Sequence, residues 1–262
     1  MSELTPADLV ELKRAKTLLE NPGLAARTAA MLGQPMERGM AMLPERAKKI
    51  IHRTSEAAMM KALDVAVKSL GSDGAGLTAP KNKMHKLAVA TSGALGGAFG
   101  LVALGIELPI STSIMLRSIA DIAKSEGENI QHIDTKLACL SVFALGGKGK
   151  SDDASESGYF AARTAMAGAM AEAAKFLAEK GFSKAGAPAL VRLVSIISTR
   201  FGVVVSEKAA MQAIPIIGAA SGAIINTLFI DHFQSMARGH FVVRRLEKMY
   251  GEEPVRLAYL EL

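Results

Sequence analysis

The chain has no tryptophan, three tyrosines and a single cysteine among its 262 residues. One cysteine, Cys139, excludes an intramolecular disulfide and any metal site built from several thiolates, and it fits a reducing compartment. So few aromatic side chains leave no belt of Trp and Tyr for a membrane interface and no stacking platform for nucleic-acid bases. Strings that carry common chemistries are missing too. There is no His-Glu-x-x-His and no Gly-x-Ser-x-Gly. Gly146-Gly147-Lys148-Gly149-Lys150-Ser151 fails the phosphate-loop spacing, because Ala144 stands where the first glycine belongs. The first nine residues lack the basic segment and apolar core of a secretory signal peptide, so a cytoplasmic protein is expected.

What is present is apolar and helical. Half of the residues are hydrophobic and 21% are charged, enough to bury a sizeable core in one large domain or two small ones. The formal net charge of +6 is concentrated in the first third, with fourteen basic against nine acidic residues over 1–86. Those basic residues are interspersed with acids and no nucleic-acid motif accompanies them. A modest basic surface suits anionic lipid headgroups, and no nucleic-acid partner is expected. Apolar spacing predicts helices over 6–20, 24–32, 44–70, 113–125, 134–145, 159–180 and 229–250. Ser111, Thr112 and Ser113 read as cap residues for the fourth of these and Asp134 for the fifth. The β-branched clusters in 191–205 have no partner strand elsewhere and read as buried helix. Gly-rich loops over 71–76 and 146–157 separate the segments, and Gly251 reads as the residue after the last helical turn. Residues 1–43 read as an N-terminal helical extension and 44–262 as the main helical domain.

Two stretches stand apart. Residues 87–106 are twenty consecutive uncharged residues closed by Glu107, and 209–230 are twenty-two between Lys208 and Asp231. Each has the length of a bilayer span. Gly93/Gly97, Gly96/Gly100 and Gly218/Gly222 put small residues at four-residue spacing, which lets two helix backbones approach closely. One reading is a pair of apolar helices that span a membrane, dip into it or contact it through Leu95, Phe99, Leu101, Leu104, Ile214, Ile217 and Ile224. The other is a pair of helices buried on all sides at the centre of a soluble bundle. Gly and Ala add little insertion energy, and Pro215 and Asn226 detract from it.

The polar residues around these stretches form a second group of candidates. Glu107 is either a half-buried acid able to bind a cation or move a proton, or a helix-end charge paired with Arg117 or serving as a cap. Arg117 and Asp121, four apart, most simply brace a helix against its neighbour. His232 and His240 lie eight residues and about 80° apart on a helix, so they cannot chelate one ion as an i, i+4 pair does. With Asp231 and Asn226 they are candidates for a polar site or for satisfied structural side chains. Cys139, in an apolar helix, reads as a buried free thiol. No metal and no cofactor is expected.

Several tracts together resemble the EcsC family of bacterial proteins. They include Glu107-Leu108-Pro109-Ile110, Leu116-Arg117-Ser118-Ile119-Ala120-Asp121, Ala138-Cys139-Leu140, Pro215-Ile216-Ile217-Gly218, Asp231-His232-Phe233 and Ala237-Arg238-Gly239-His240-Phe241. The resemblance covers residues 44–251. It implies an association with ABC transport systems, beside whose subunits the family's namesake is encoded, and the family has also carried a peptidase label. It transfers no catalytic residue to a position of this sequence.

The expectation is an all-α bundle of about nine to eleven helices, with two Gly/Ala-rich apolar helices packed together at its centre. The expected role is non-enzymatic: association with the cytoplasmic face of the inner membrane, with lipid or an integral ABC-type transporter as partner. The alternative is a hydrolase, of peptidase type, with its polar site among Glu107, Arg117, Asp121, Asp231, His232 and His240.

Overall fold

The computed structural model describes residues 4–20, 43–70, 100–145, 158–181, 187–212 and 222–262. Eight α-helices make up this part of the molecule: α1 (Pro6–Glu20), α2 (Glu45–Ser69), α3 (Gly100–Ser125), α4 (Ile133–Ser141), α5 (Gly158–Lys180), α6 (Pro188–Gln212), α7 (Gly222–Tyr250) and α8 (Glu252–Glu261). A 3₁₀ turn, Val142–Ala144, follows α4, and no strand occurs among the described residues. The fold is all-α. The readings over 24–32, 71–76 and 146–157, and the residues Leu95, Phe99, Ile214 and Ile217, lie outside the described residues.

Three long helices set the axis of the molecule. The pairs Asn226–Glu107, Gln234–Ser118 and Arg245–Glu126 advance together along α7 and α3, so these two helices run parallel. α6 runs the other way. Its Phe201 packs on Phe233 and its Lys208, seven residues on, sits over Phe229, closer to the start of α7. The starts of α3 and α7 and the end of α6 therefore meet at one pole, which is where both apolar stretches of the sequence reach the described structure.

The core runs between these helices and α2. Phe143, Phe201, Phe229 and Phe233 are fully buried and meet ring to ring at centroid distances of 5.1–6.0 Å. α6 earns its place by the same logic. It is the one described helix long and apolar enough to cross a membrane, yet Leu190, Leu193, Val194, Ile197, Phe201, Val204 and Val205 are buried within the bundle. A core helix buries this much apolar surface without a bilayer.

α1 lies antiparallel along α7 and buries Leu12, Ala15 and Leu19. Gly239 makes this approach possible, since a Cβ there would stand 2.6 Å from Leu19 Cγ and 3.0 Å from the Ala15 carbonyl oxygen. The segment read as an N-terminal extension thus contributes a helix to the main core.

Three local expectations are corrected. The helix expected over 113–125 begins at Gly100 and continues through Pro109. Proline removes the amide that would bond the Gly105 carbonyl, and the lost bond falls at an exposed residue. Ser111, Thr112 and Ser113 accordingly lie inside a helix and do not cap one. The Ser111 and Ser113 hydroxyls donate back to the Leu108 and Pro109 carbonyls at 3.2 and 2.7 Å. Asp134 lies in the first turn of α4 rather than at its cap, which is His132, and there it meets the helix dipole instead. Gly251, with φ +94°, ends α7 as expected and also opens α8, a helix the apolar spacing did not mark.

Candidate functional site

At the pole where α3, α6 and α7 meet, Glu107 accepts two hydrogen bonds on one oxygen. Lys208 Nζ donates to it at 2.7 Å and Asn226 Nδ2 at 3.0 Å. Lys208 is 0% exposed, and its ammonium also lies 4.8 Å from the centre of the Phe229 ring. Burial lowers the pKa of this lysine, and the Glu107 carboxylate pushes back toward the charged form. Glu107 therefore pairs with Lys208, from which it is separated by a hundred residues of chain, and not with Arg117 as its sequence neighbourhood suggested. Arg117 is exposed and donates instead to Ser69 Oγ at 3.3 Å, tying α3 to α2.

Close to this buried trio along α3 and α7, three large apolar side chains are exposed. Ile106 is 72% exposed, Ile110 51% and Ile224 50%. Glu107 is the sole ionisable residue in 100–116 of α3, and 222–230 of α7 has none. Leu101 and Leu104 fall in the first turns of α3, on the way to this end.

His240, among the remaining polar candidates, lies elsewhere. Asn226 and His240 are fourteen residues apart on α7, about 21 Å along its axis at 1.5 Å per residue, so the two do not share one cleft. His240 is buried, and its Nδ1 lies 2.9 Å from the Tyr159 hydroxyl. Arg163 points an N–H at the same hydroxyl oxygen at 3.3 Å, so the phenol proton goes to His240 Nδ1. Burial, reinforced by the positive charges of Arg163 and Arg244, holds the imidazole well below its usual range. His240 is thus a neutral hydrogen-bond acceptor. Burial likewise pushes up the Tyr159 hydroxyl and the Cys139 thiol, which keeps both protonated. His232 is buried with its ring edge to face against Phe233, and Asp231 beside it is half-buried. Asp121 is half-buried on α3. Among the described residues, no three His, Cys, Asp or Glu side chains converge as a metal site.

The opposite end of the molecule is ionic. Arg163 clamps Glu247 with two hydrogen bonds of 2.6 and 3.0 Å. Arg245 bridges Glu126 and Glu11, while the buried Glu128 carboxylate holds Arg244 at 3.0 Å and Lys248 at 2.8 Å. Burial alone would raise the Glu128 carboxyl; Lys248, Arg244 and Thr135 outweigh it and hold the acid below its ordinary range. Nineteen residues of α7, about 28 Å, separate Asn226 from Arg245.

Sequence reasoning found Glu107 and Asn226 but treated Lys208 only as the charge that bounds an apolar stretch. The signal was there: the two stretches are closed by charges of opposite sign, Glu107 after one and Lys208 before the other. Tyr159, Arg163 and Glu247 were also missed, because their partners are more than eighty residues away.

No curated protein and no solved structure matches this chain. The EcsC protein family matches residues 7–246, a span that includes α1 and everything through most of α7. The chain, a helical bundle with an apolar pole at one end and an ionic one at the other, belongs to the EcsC protein family.

Proposed function

We propose that this protein is a non-enzymatic, membrane-associated protein that engages the cytoplasmic face of the inner membrane with its apolar pole, binding lipid or an integral transporter there. The observation that carries this reading is the exposure of Ile106, Ile110 and Ile224 at the end where both long apolar stretches enter the described structure, about 28 Å from the ionic end. Isolated exposed apolar residues are ordinary on a soluble protein. Three exposed isoleucines on helix ends almost free of ionisable groups concentrate apolar exposure toward one end of the described structure, and apolar exposure gathered in one place marks contact with a membrane or a membrane protein. The excess of basic residues in the first third of the sequence adds attraction to anionic headgroups.

The test is fractionation of the untagged protein from its native cell, with high-salt and carbonate washes of the membrane pellet. Sedimentation with membranes is expected, with retention through the salt wash because the contact is apolar. Recovery wholly in the soluble fraction overturns the reading.

A further inference from the structure

We propose that Glu107, Lys208 and Asn226 couple the two apolar segments of the chain into a single mechanical unit, so that the end of one cannot be released without releasing the other. As a statement about membranes this rests on the function proposed above; as a statement about coupling it stands on the geometry alone.

Glu107 is the first charge after residues 87–106, and Lys208 is the last before 209–230. In the fold these two boundary charges meet at 2.7 Å, and Asn226, from within the second segment, donates to the same carboxylate oxygen at 3.0 Å. One carboxylate thus ties the beginning of α3 to the end of α6 and the beginning of α7. Glu107 and Lys208 are both buried. A buried charge is tolerated while its partner is present, and loss of either partner leaves the other uncompensated in an apolar setting. Removing both charges is a far smaller perturbation, because a buried pair is often replaced by apolar groups of similar volume at little cost, and a glutamine in place of Glu107 keeps an acceptor for Asn226. The same asymmetry acts at a membrane: the pair approaches a low-dielectric phase as a neutral unit, whereas either charge alone resists it. Ile106 adjoins Glu107 and Ile224 lies two residues before Asn226, so the exposed isoleucines stand on the stretches of α3 and α7 that these bonds join.

The experiment compares wild type, E107Q, K208M and the double variant E107Q/K208M. Leu137→Ala, in the core at α4, serves as a control for general destabilisation. Amide hydrogen exchange in water reports the first turns of α3 and α7, and co-sedimentation with vesicles of phosphatidylethanolamine and phosphatidylglycerol reports membrane engagement. In E107Q and in K208M, exchange is expected to rise at both helix ends together, and vesicle binding to fall by at least about tenfold. In the double variant both readouts return to within about threefold of wild type, a residue of less than 1 kcal/mol. Leu137→Ala is expected to leave the two helix ends no more exposed to exchange than the rest of the bundle. Loosening of only one helix end by either single change overturns the coupling, as does a double variant as loose as the single ones. Coupled exchange in a wild-type protein that ignores the vesicles upholds the coupling and overturns the membrane reading instead.

Discussion

A neutral histidine between two arginines makes the stability of this protein depend on pH in a window that its carboxylates do not share. In the unfolded chain, His240 titrates near the ordinary imidazole value of about 6.5. In the fold, burial and the charges of Arg163 and Arg244 hold its pKa well below that value. As pH falls through 6.5 the unfolded chain takes up a proton that the native protein refuses, so stability drops, with a slope approaching about 1.4 kcal/mol per pH unit for this one group. Above that pH the group contributes no slope. Glu128, held below its ordinary value of 4.5, contributes stability that is present above that pH and lost as pH falls below it, outside the histidine's window. His240→Gln keeps an acceptor for the Tyr159 hydroxyl and removes the proton site. Urea denaturation between pH 7 and 5 is expected to give a shallower fall for the variant than for wild type, and an unchanged slope would refute the assignment.

Among the elements, α8 shows how much a short helix can contribute. Its Tyr259 is fully buried, stacked on Tyr159 at 5.8 Å and meeting Phe160 edge on at 5.1 Å, while its carbonyl accepts from Lys16 at 2.9 Å. α8 therefore pins α5 and α1 against the end of α7. Tyr259→Ala is expected to cost about 3 kcal/mol, a fall in Tm of roughly 6–12 °C in a domain of this size, while Leu257→Ala on the exposed face of the same helix costs next to nothing. Calorimetry of the two variants checks both. The sequence hid α8 because ten residues behind a glycine are too few for a periodic pattern to stand out. It revealed α2, α5 and α7 because their apolar faces repeat over six or more turns. The β-branched stretch of α6 was readable as helix only because no second candidate strand exists for it to pair with. Ser111, Thr112 and Ser113 misled: read as caps, they sit inside α3, which continues through Pro109. Of the candidate site, the residue types were legible and the partnerships were not, since Glu107 and Lys208, or Tyr159 and His240, meet only through tertiary packing.

At the scale of the whole molecule, parallel α3 and α7 make the protein asymmetric end to end. Both helices begin in apolar sequence and finish in ionic networks, so the sequence gradient along each becomes a gradient along the body. The exposed apolar residues at the ionic end differ in context from those at the other. Leu257 and Leu260 stand on α8 among Glu253, Arg256 and Glu261, whereas Ile106, Ile110 and Ile224 have no exposed charged residue within their own helix turns. If the apolar pole is what meets a membrane, the paired change Ile106→Asp with Ile224→Asp should abolish vesicle co-sedimentation. Two isoleucines forgo roughly 1.5–3 kcal/mol of burial each, which together weakens binding by at least about a hundredfold. Because both side chains are exposed in the isolated protein, Tm should move little. Leu257→Asp with Leu260→Asp makes the matching change at the ionic end and should leave binding intact. Equal losses from the two pairs would mean that contact is not directional, and that the difference between the poles reflects only how the core is filled.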